Sequence, residues 1–299
     1  MRRAICLIFT VVLAAGCQQK ADRALVSGLS SYAFGEFEYA ARRLAAGARR
    51  TDEHFVLNNA RLGSAALAAY DLDEAEHAFL RAYEVQNGVG TNTGGQTLGA
   101  VIVSEDRRVW KGEPFERAMT SFYLGLAYYV RWGLDDSVYD LLNARAAFEN
   151  SLFKLRDYGE NPRKTDAYRE QESNFSLAHL MLARTWMRLG RSDLARANQE
   201  RAVALQPSLA PLANALLDPE TNVLLVIDVG RGPRKETTLN GLVAGFGPRP
   251  QEAGPPVAPT VRVNGRPLPL GEMNRPTVDL LALAQDRRWQ SIDTIRAIK

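Results

Sequence analysis

Cysteine is nearly missing from this chain of 299 residues: Cys6 and Cys17 are the only two, and both fall within the first seventeen positions. Everything beyond residue 17 therefore has neither an intramolecular disulfide nor a thiolate metal cluster, and its stability rests on a hydrophobic core. Histidine is almost as scarce, with His54, His77 and His179 the whole complement. No two of them stand four apart, which excludes the His-x-x-x-His and His-Glu-x-x-His metal spacings. The Gly-x-Ser-x-Gly elbow of serine hydrolases is absent as well. Asp228-Val229-Gly230-Arg231-Gly232 places glycines after an apolar run, but Pro233 follows and no helix opens to receive a nucleotide phosphate. These absences leave no catalytic residue, no metal ligand and no cofactor site to assign, and no enzymatic activity is expected.

What is present begins at the N-terminus. Arg2-Arg3 make a basic n-region, and Ala4 to Ala15 form an apolar stretch of about a dozen residues, shorter than the ~20 a membrane-spanning helix needs. Leu13-Ala14-Ala15-Gly16-Cys17 ends this stretch and resembles the lipobox of bacterial lipoproteins. The resemblance implies that residues 1–16 are a signal peptide and that Cys17 is the lipidated first residue of the mature chain. The competing reading is an ordinary cleaved signal peptide with an incidental cysteine. Gln18 follows Cys17, where an Asp holds many Gram-negative lipoproteins in the inner membrane, so the sorting rule points to an outer-membrane anchor facing the periplasm. Loss of Arg2 and Arg3 lowers the formal net charge from +3 to +1. The basic character is then a few exposed arginines rather than a nucleic-acid footprint, and no nucleic-acid partner is expected.

After a short polar tether, residues 17–23, the chain repeats itself. The clearest copy is Leu182 to Pro207, read as two helices folded back at Leu189-Gly190-Arg191. Leu182, Ala183 and Trp186 share one face of the first helix. Ala195 and Ala202 lie seven apart on the second, and Pro207 stops it. A first copy holds Gly28, Tyr32, Gly35, Phe37, Ala40 and Leu44. A second holds Leu62, Gly63, Ala66, Leu72, Ala75, Phe79 and Ala82, with Tyr70 where the others have the turn glycine. Acids at Asp71, Asp73 and Glu74 suit the start of a helix. A third, enlarged copy opens at Glu113-Pro114, with proline in the first helical turn and Glu116 nearby. Its first helix spans Ala118 to Trp132, a long turn covers Gly133 to Tyr139, and Ala144, Phe148 and Ser151 line the second helix.

The large–Gly–Ala–Pro order of these copies resembles the tetratricopeptide repeat. Together with the lipobox and the Gly112-Glu113-Pro114-Phe115-Glu116-Arg117 opening, the chain resembles an uncharacterised family of bacterial tetratricopeptide-type lipoproteins. That resemblance implies a mainly α fold, a tetratricopeptide-like helical-hairpin solenoid over residues 24–218, and no activity.

Three stretches interrupt the pattern. Residues 87–99 hold five glycines and read as a flexible insertion, since a phosphate loop would need a strand before it and Lys-Ser/Thr after it. Residues 154–173 are charged and read as a solvated linker or an exposed helix start. After Pro219 the composition changes, and residues 219–299 are expected to form a small α+β C-terminal domain. Within it, Asn222 to Val229 reads as a buried strand. Val261-Arg262-Val263 turning at Asn264-Gly265 reads as a hairpin, with Pro267 and Pro269 confining the return strand to an edge. A final helix from about Thr277 carries Leu280, Leu281, Ala284, Ile292 and Ile295. Elsewhere residues 245–276, with eight prolines, read as loop.

The expected role is a lipid-anchored envelope scaffold that holds proteins or peptides in the repeat groove, with Tyr32, Tyr128 and Trp186 on its first helices, though packing suits each of them better. The alternatives are a ligand-binding accessory subunit of an envelope enzyme or transport system, and a structural lipoprotein that oligomerises through exposed repeat ends. Of the histidines, His77 is expected to pair with Asp73 four residues earlier, and His179 to sit in the core or groove.

Overall fold

Apolar and small residues at helical spacing dictate a mainly helical architecture, and the computed structural model shows one. It describes residues 23–87, 111–157, 171–172, 174–228, 232–238, 243–247, 261–268 and 277–286. The chain divides after Ala147 into two compact units. The first contains α1 (residues 23–33), α2 (Phe37–Ala48), α3 (Phe55–Ala68), α4 (Leu72–Asn87) and α5 (Pro114–Asp135), and α6 (Val138–Phe153) runs across the division. Consecutive helices pack as hairpins: α2 on α3, α3 on α4, α4 on α5, with α3 also reaching α5. The second unit contains a further hairpin, α7 (Ser176–Arg188) and α8 (Ser192–Leu205).

Three of the hairpins turn in the same way. Gly35, Tyr70 and Gly190 all take positive φ, at 80°, 60° and 74°. The amide of the next residue donates back to the carbonyl five positions earlier, Glu36 to Ser31, Asp71 to Ala66 and Arg191 to Trp186, each at 2.9 Å. This is the Schellman closure of a helix, which places a left-handed residue just past the last turn. Five residues beyond each left-handed position stands an alanine with no exposed surface: Ala40, Ala75 and Ala195. Seven before it stands Gly28, Gly63 or Ala183. A Cβ on Gly28 would lie 2.9 Å from Leu44 Cγ, and one on Gly63 would lie 2.8 Å from the Phe79 ring. The small residues are thus the points where paired helices approach too closely for a larger side chain.

The α5–α6 hairpin differs from its sequence-based expectation. Helix α5 runs three residues past Trp132 to Asp135, and only Asp136 and Ser137 separate it from α6. The extra residues of this copy are helical rather than loop. Asp136 accepts the left-handed conformation (φ 54°), and its amide donates to the Trp132 carbonyl at 2.8 Å. The Ser137 hydroxyl accepts from the Asp140 amide at 3.4 Å and starts the next helix. The other end is as expected: Pro114 occupies the first turn, and Glu113 and Glu116 form a reciprocal capping box. Ala144, Phe148 and Ser151 are fully buried, also as expected.

A polar knot ties α2, α3 and α4 together. Asn59 is fully buried, and its amide nitrogen donates to the Ala48 and Phe55 carbonyls at 3.0 and 2.9 Å, while its oxygen accepts from Arg81 Nε at 2.8 Å. The side chain of Asn59 therefore supplies a partner that the C-terminal end of α2 otherwise lacks. Asn59→Leu is expected to cost about 2 kcal/mol, because it leaves the Ala48 carbonyl without the buried amide and the Arg81 Nε–H without its acceptor, while Arg81 keeps Glu74. Denaturant titration checks this, and a cost near zero would remove the knot from the account.

In the second unit, α8 stops before Pro207, as expected. Pro207 then opens a short 3-10 turn (Pro207–Leu209) that leads into α9 (Ala210–Leu217), a helix additional to those the sequence predicts. Leu180, Ala202, Leu209, Ala213 and Leu216 form the core of this region. The charged segment 154–173 is not helical at its ends: β1 (Arg156–Asp157) pairs antiparallel with β2 (Gln171–Glu172). Over the described residues 222–228 the strand expected at 222–229 does not form. Residues 221–228 have no regular structure, and Val223 and Leu225 are 78% and 57% exposed. Leu224 of this run packs against the α8–α9 cluster. Two other strands do form from residues read as loop or left unassigned, β3 (Arg234–Thr238) paired with β4 (Val243–Gly247). The hairpin at Asn264-Gly265 is present as β5 (Val261–Val263) and β6 (Arg266–Leu268), with positive φ at both turn residues. Helix α10 covers Leu280–Ala284, beginning later than Thr277 because the Asp279 carboxylate caps the amides of Leu281 and Ala282. Gln285 Nε2 donates to the Phe246 carbonyl at 2.7 Å and links α10 to β4. Cys17, residues 88–99, Ile292 and Ile295 lie outside the described residues.

Candidate functional site

The three aromatic residues expected on first helices are each engaged in packing or hydrogen bonding. Tyr32 is half-buried against the α2–α3 core and meets the Phe37 ring edge-on at 5.3 Å. Tyr128 is buried and its hydroxyl donates to Glu76 at 2.9 Å. Trp186 is half-buried, with the Arg191 guanidinium 6.0 Å from its ring centre. His179 is buried as expected, its Nδ1 3.0 Å from Asn198 Oδ1. His77 does not pair with the Asp73 carboxylate; its Nδ1 faces the Asp73 backbone carbonyl at 2.7 Å. The Asp73 carboxylate turns instead to Arg131, at 3.2 Å. Among the described residues no group of His, Cys, Asp or Glu is arranged to hold a metal ion, and no helix is long and apolar enough to cross a membrane.

Arg131 is the centre of a polar cluster in the first unit. Its guanidinium reaches Glu76, Asp73 and Asp140 on two other helices, and donates to the Leu72 carbonyl at 3.1 Å. Burial opposes its charge, but the Glu76 hydrogen bond and the surrounding carboxylates outweigh this and hold its pKa above the usual arginine range. Burial, and then the hydrogen bond to Glu76, pushes the Tyr128 hydroxyl well above the ordinary tyrosine range. This cluster has no free acid or base, and it joins helices. Tyr128 and Arg131 stand three apart on α5, a spacing that puts them on one face; their partner Glu76 on α4 is more than fifty positions away and carries no local signal.

A second feature is open to solvent. A concavity of about 700 Å³ lies between the first two hairpin tips, with residues 35–39 and Arg42 on one wall and Ala68 and Ala69 on the other. Exposed aromatic residues accompany it. Tyr39 is 43% exposed and lines it, Phe34 directly precedes the lining residue Gly35, and Tyr70 directly follows Ala69. Glu36 and Glu38 contribute carboxylates, and Arg42 lies 3.9 Å from Glu38 and 5.8 Å from the Tyr39 ring centre. The visible sign of this site in the sequence is Tyr70, an aromatic residue standing where two other hairpins have glycine. No protein-family model matches the chain, and no curated protein matches it.

Proposed function

We propose that this chain is a lipid-anchored scaffold of the bacterial cell envelope, a tetratricopeptide-type helical-repeat solenoid followed by a small α+β domain, which binds polypeptide partners and carries out no catalysis. The observation that supports this reading most directly is the shared register of three hairpins: a small residue, a left-handed turn residue seven positions on, and a buried alanine five further. Stacked copies of one supersecondary unit bury a continuous core and leave an extended surface for partners. The anchor belongs to Cys17, the lipobox residue, and holds the scaffold at the outer membrane, facing the periplasm. The acids and arginines near the hairpin tips serve recognition.

In-cell crosslinking followed by affinity purification, comparing the native chain with Cys17→Ala, tests this. The native chain is expected to capture a discrete set of envelope proteins, and the variant to lose or reduce that set and to leave the membrane fraction. Capture of no protein by the native chain would remove the scaffold reading. Membrane retention of the variant would remove the anchor.

A further inference from the structure

We infer that the concavity between the first two hairpin tips is the docking site for a lysine- or arginine-bearing segment of a partner polypeptide. The inference rests on the scaffold reading and names the chemistry of its partner. Tyr70 carries the argument first. Its φ of 60° is a left-handed conformation that glycine adopts without cost, as Gly35 and Gly190 do at the equivalent turns, and that a tyrosine adopts only with strain. A core side chain offsets such strain by burial, but Tyr70 is 75% exposed. Its ring therefore gains little inside the chain. Phe34, 82% exposed, and Tyr39, 43% exposed, lie in or directly beside the residues of the facing wall. One exposed aromatic ring, Tyr39, thus lines the cavity, and two more, Phe34 and Tyr70, directly adjoin its lining residues in the chain.

Charge selects the occupant. Glu36 and Glu38 line the concavity and Asp71 directly follows Tyr70, against the single lining cation Arg42. Arg42 itself shows the contact on offer: its guanidinium lies 5.8 Å from the Tyr39 ring centre and 3.9 Å from the Glu38 carboxylate. The lining carboxylate Glu36, with Phe34, Tyr70 and Asp71 adjoining the lining residues in the chain, offers a ligand cation the same two kinds of partner, by cation–π attraction reinforced by charge. An acidic segment meets net repulsion there.

The test uses the full chain and a fluorescent peptide of alternating lysine and glycine, read by anisotropy. Binding is expected, weakening as salt is raised. Tyr70→Gly is expected to weaken it by at least about tenfold while raising the thermal midpoint by a few degrees, since glycine relieves the turn. Phe34→Ala is expected to weaken binding with the midpoint unchanged. Equal binding by Tyr70→Gly, no binding by the native chain, equal binding of an alternating glutamate–glycine peptide, or binding of a neutral oligosaccharide in place of the basic peptide each overturns the site. Partner crosslinking with the same variants separates this result from the scaffold reading. Partners captured undiminished by Tyr70→Gly leave the scaffold standing and remove this site. Tyr70-dependent peptide binding by a chain that captures no partner leaves the site standing and removes the scaffold.

Discussion

Gly63→Val is expected to lower the unfolding free energy by about 3 kcal/mol, seen as a lower urea midpoint at unchanged slope. The cost is steric and can be located. A Cβ on Gly63 would stand 2.8 Å from two carbons of the Phe79 ring and 2.9 Å from a third, well inside any real contact. The ring has nowhere to go. It has no exposed surface, and Tyr123 stacks near-parallel to it at 6.1 Å between centres. Helix propensity runs the other way, since glycine inside a helix is worse than alanine by about 1 kcal/mol. Gly63→Ala should therefore fall between the two effects, destabilising by about 1 kcal/mol. Gly47 supplies the control, because its nearest foreign atom to an added Cβ is the Asn58 amide nitrogen at 3.7 Å, an ordinary contact. Gly47→Ala should be neutral or stabilising. Phe79→Ala alone should cost about 4 kcal/mol through the cavity it leaves. Combined with Gly63→Val it should cost clearly less than the sum, because the two changes share one space. Strict additivity would show that Gly63 and Phe79 do not meet.

The parts of this structure that were legible in the sequence are those whose cause is local. Gly35 and Gly190 announce left-handed turns, Glu113-Pro114 with Glu116 announces a cap, and Asn264-Gly265 announces a hairpin turn, because each residue fixes its own backbone or its near neighbour's. The expected helices over residues 24–218 follow from the same periodicity, and consecutive helical hairpins are what the chain forms. Where the cause is distant, the reading failed. Asn222 to Asp228 has a strand's composition, but hydrophobicity states a preference for burial and does not supply a pairing partner. Among the described residues the strands of this unit pair only with each other, two by two, and the run stays outside them. Conversely Arg234–Thr238 and Val243–Gly247 have little apolar content to advertise them. The Asn240-Gly241 dipeptide between them was the usable signal, of the same kind as Asn264-Gly265. The length of α5 was missed because Gly133 reads as a helix breaker, yet Gly133 sits inside the helix with open space around it. Of the candidate site, Tyr70 alone was visible as a departure from the repeat. That Phe34 and Tyr39 accompany the same cavity depends on how two hairpins pack, which no local rule contains.

Arg131→Leu is expected to destabilise the first unit by about 2–3 kcal/mol, somewhat below the 3–5 kcal/mol typical of a fully buried pair because the cluster keeps some solvent contact. The variant leaves Glu76 and Asp140 partly buried, with side chains 23% and 14% exposed, and without the cation both of them face. Much of the loss is thus the penalty of stranded carboxylates, which makes the prediction separable from simple loss of packing. Glu76→Gln with Arg131→Leu should recover part of the stability that Arg131→Leu alone removes, since one stranded charge is gone; a double variant at the full sum would refute this account. The same cluster gives an alkaline signature. The Tyr128 hydroxyl titrates higher in the folded chain than the value near 10 of an unfolded tyrosine, through burial and its bond to Glu76. A raised folded pKa means that its contribution is complete below about pH 10 and declines as pH rises beyond the unfolded value, because only the unfolded chain ionises readily there. Tyr128→Phe should therefore lose the hydrogen bond, about 1 kcal/mol at neutral pH, and show a shallower fall in stability above pH 10 than the native chain. Urea midpoints measured across that range decide it, and parallel pH profiles would mean that Tyr128 ionises as freely folded as unfolded.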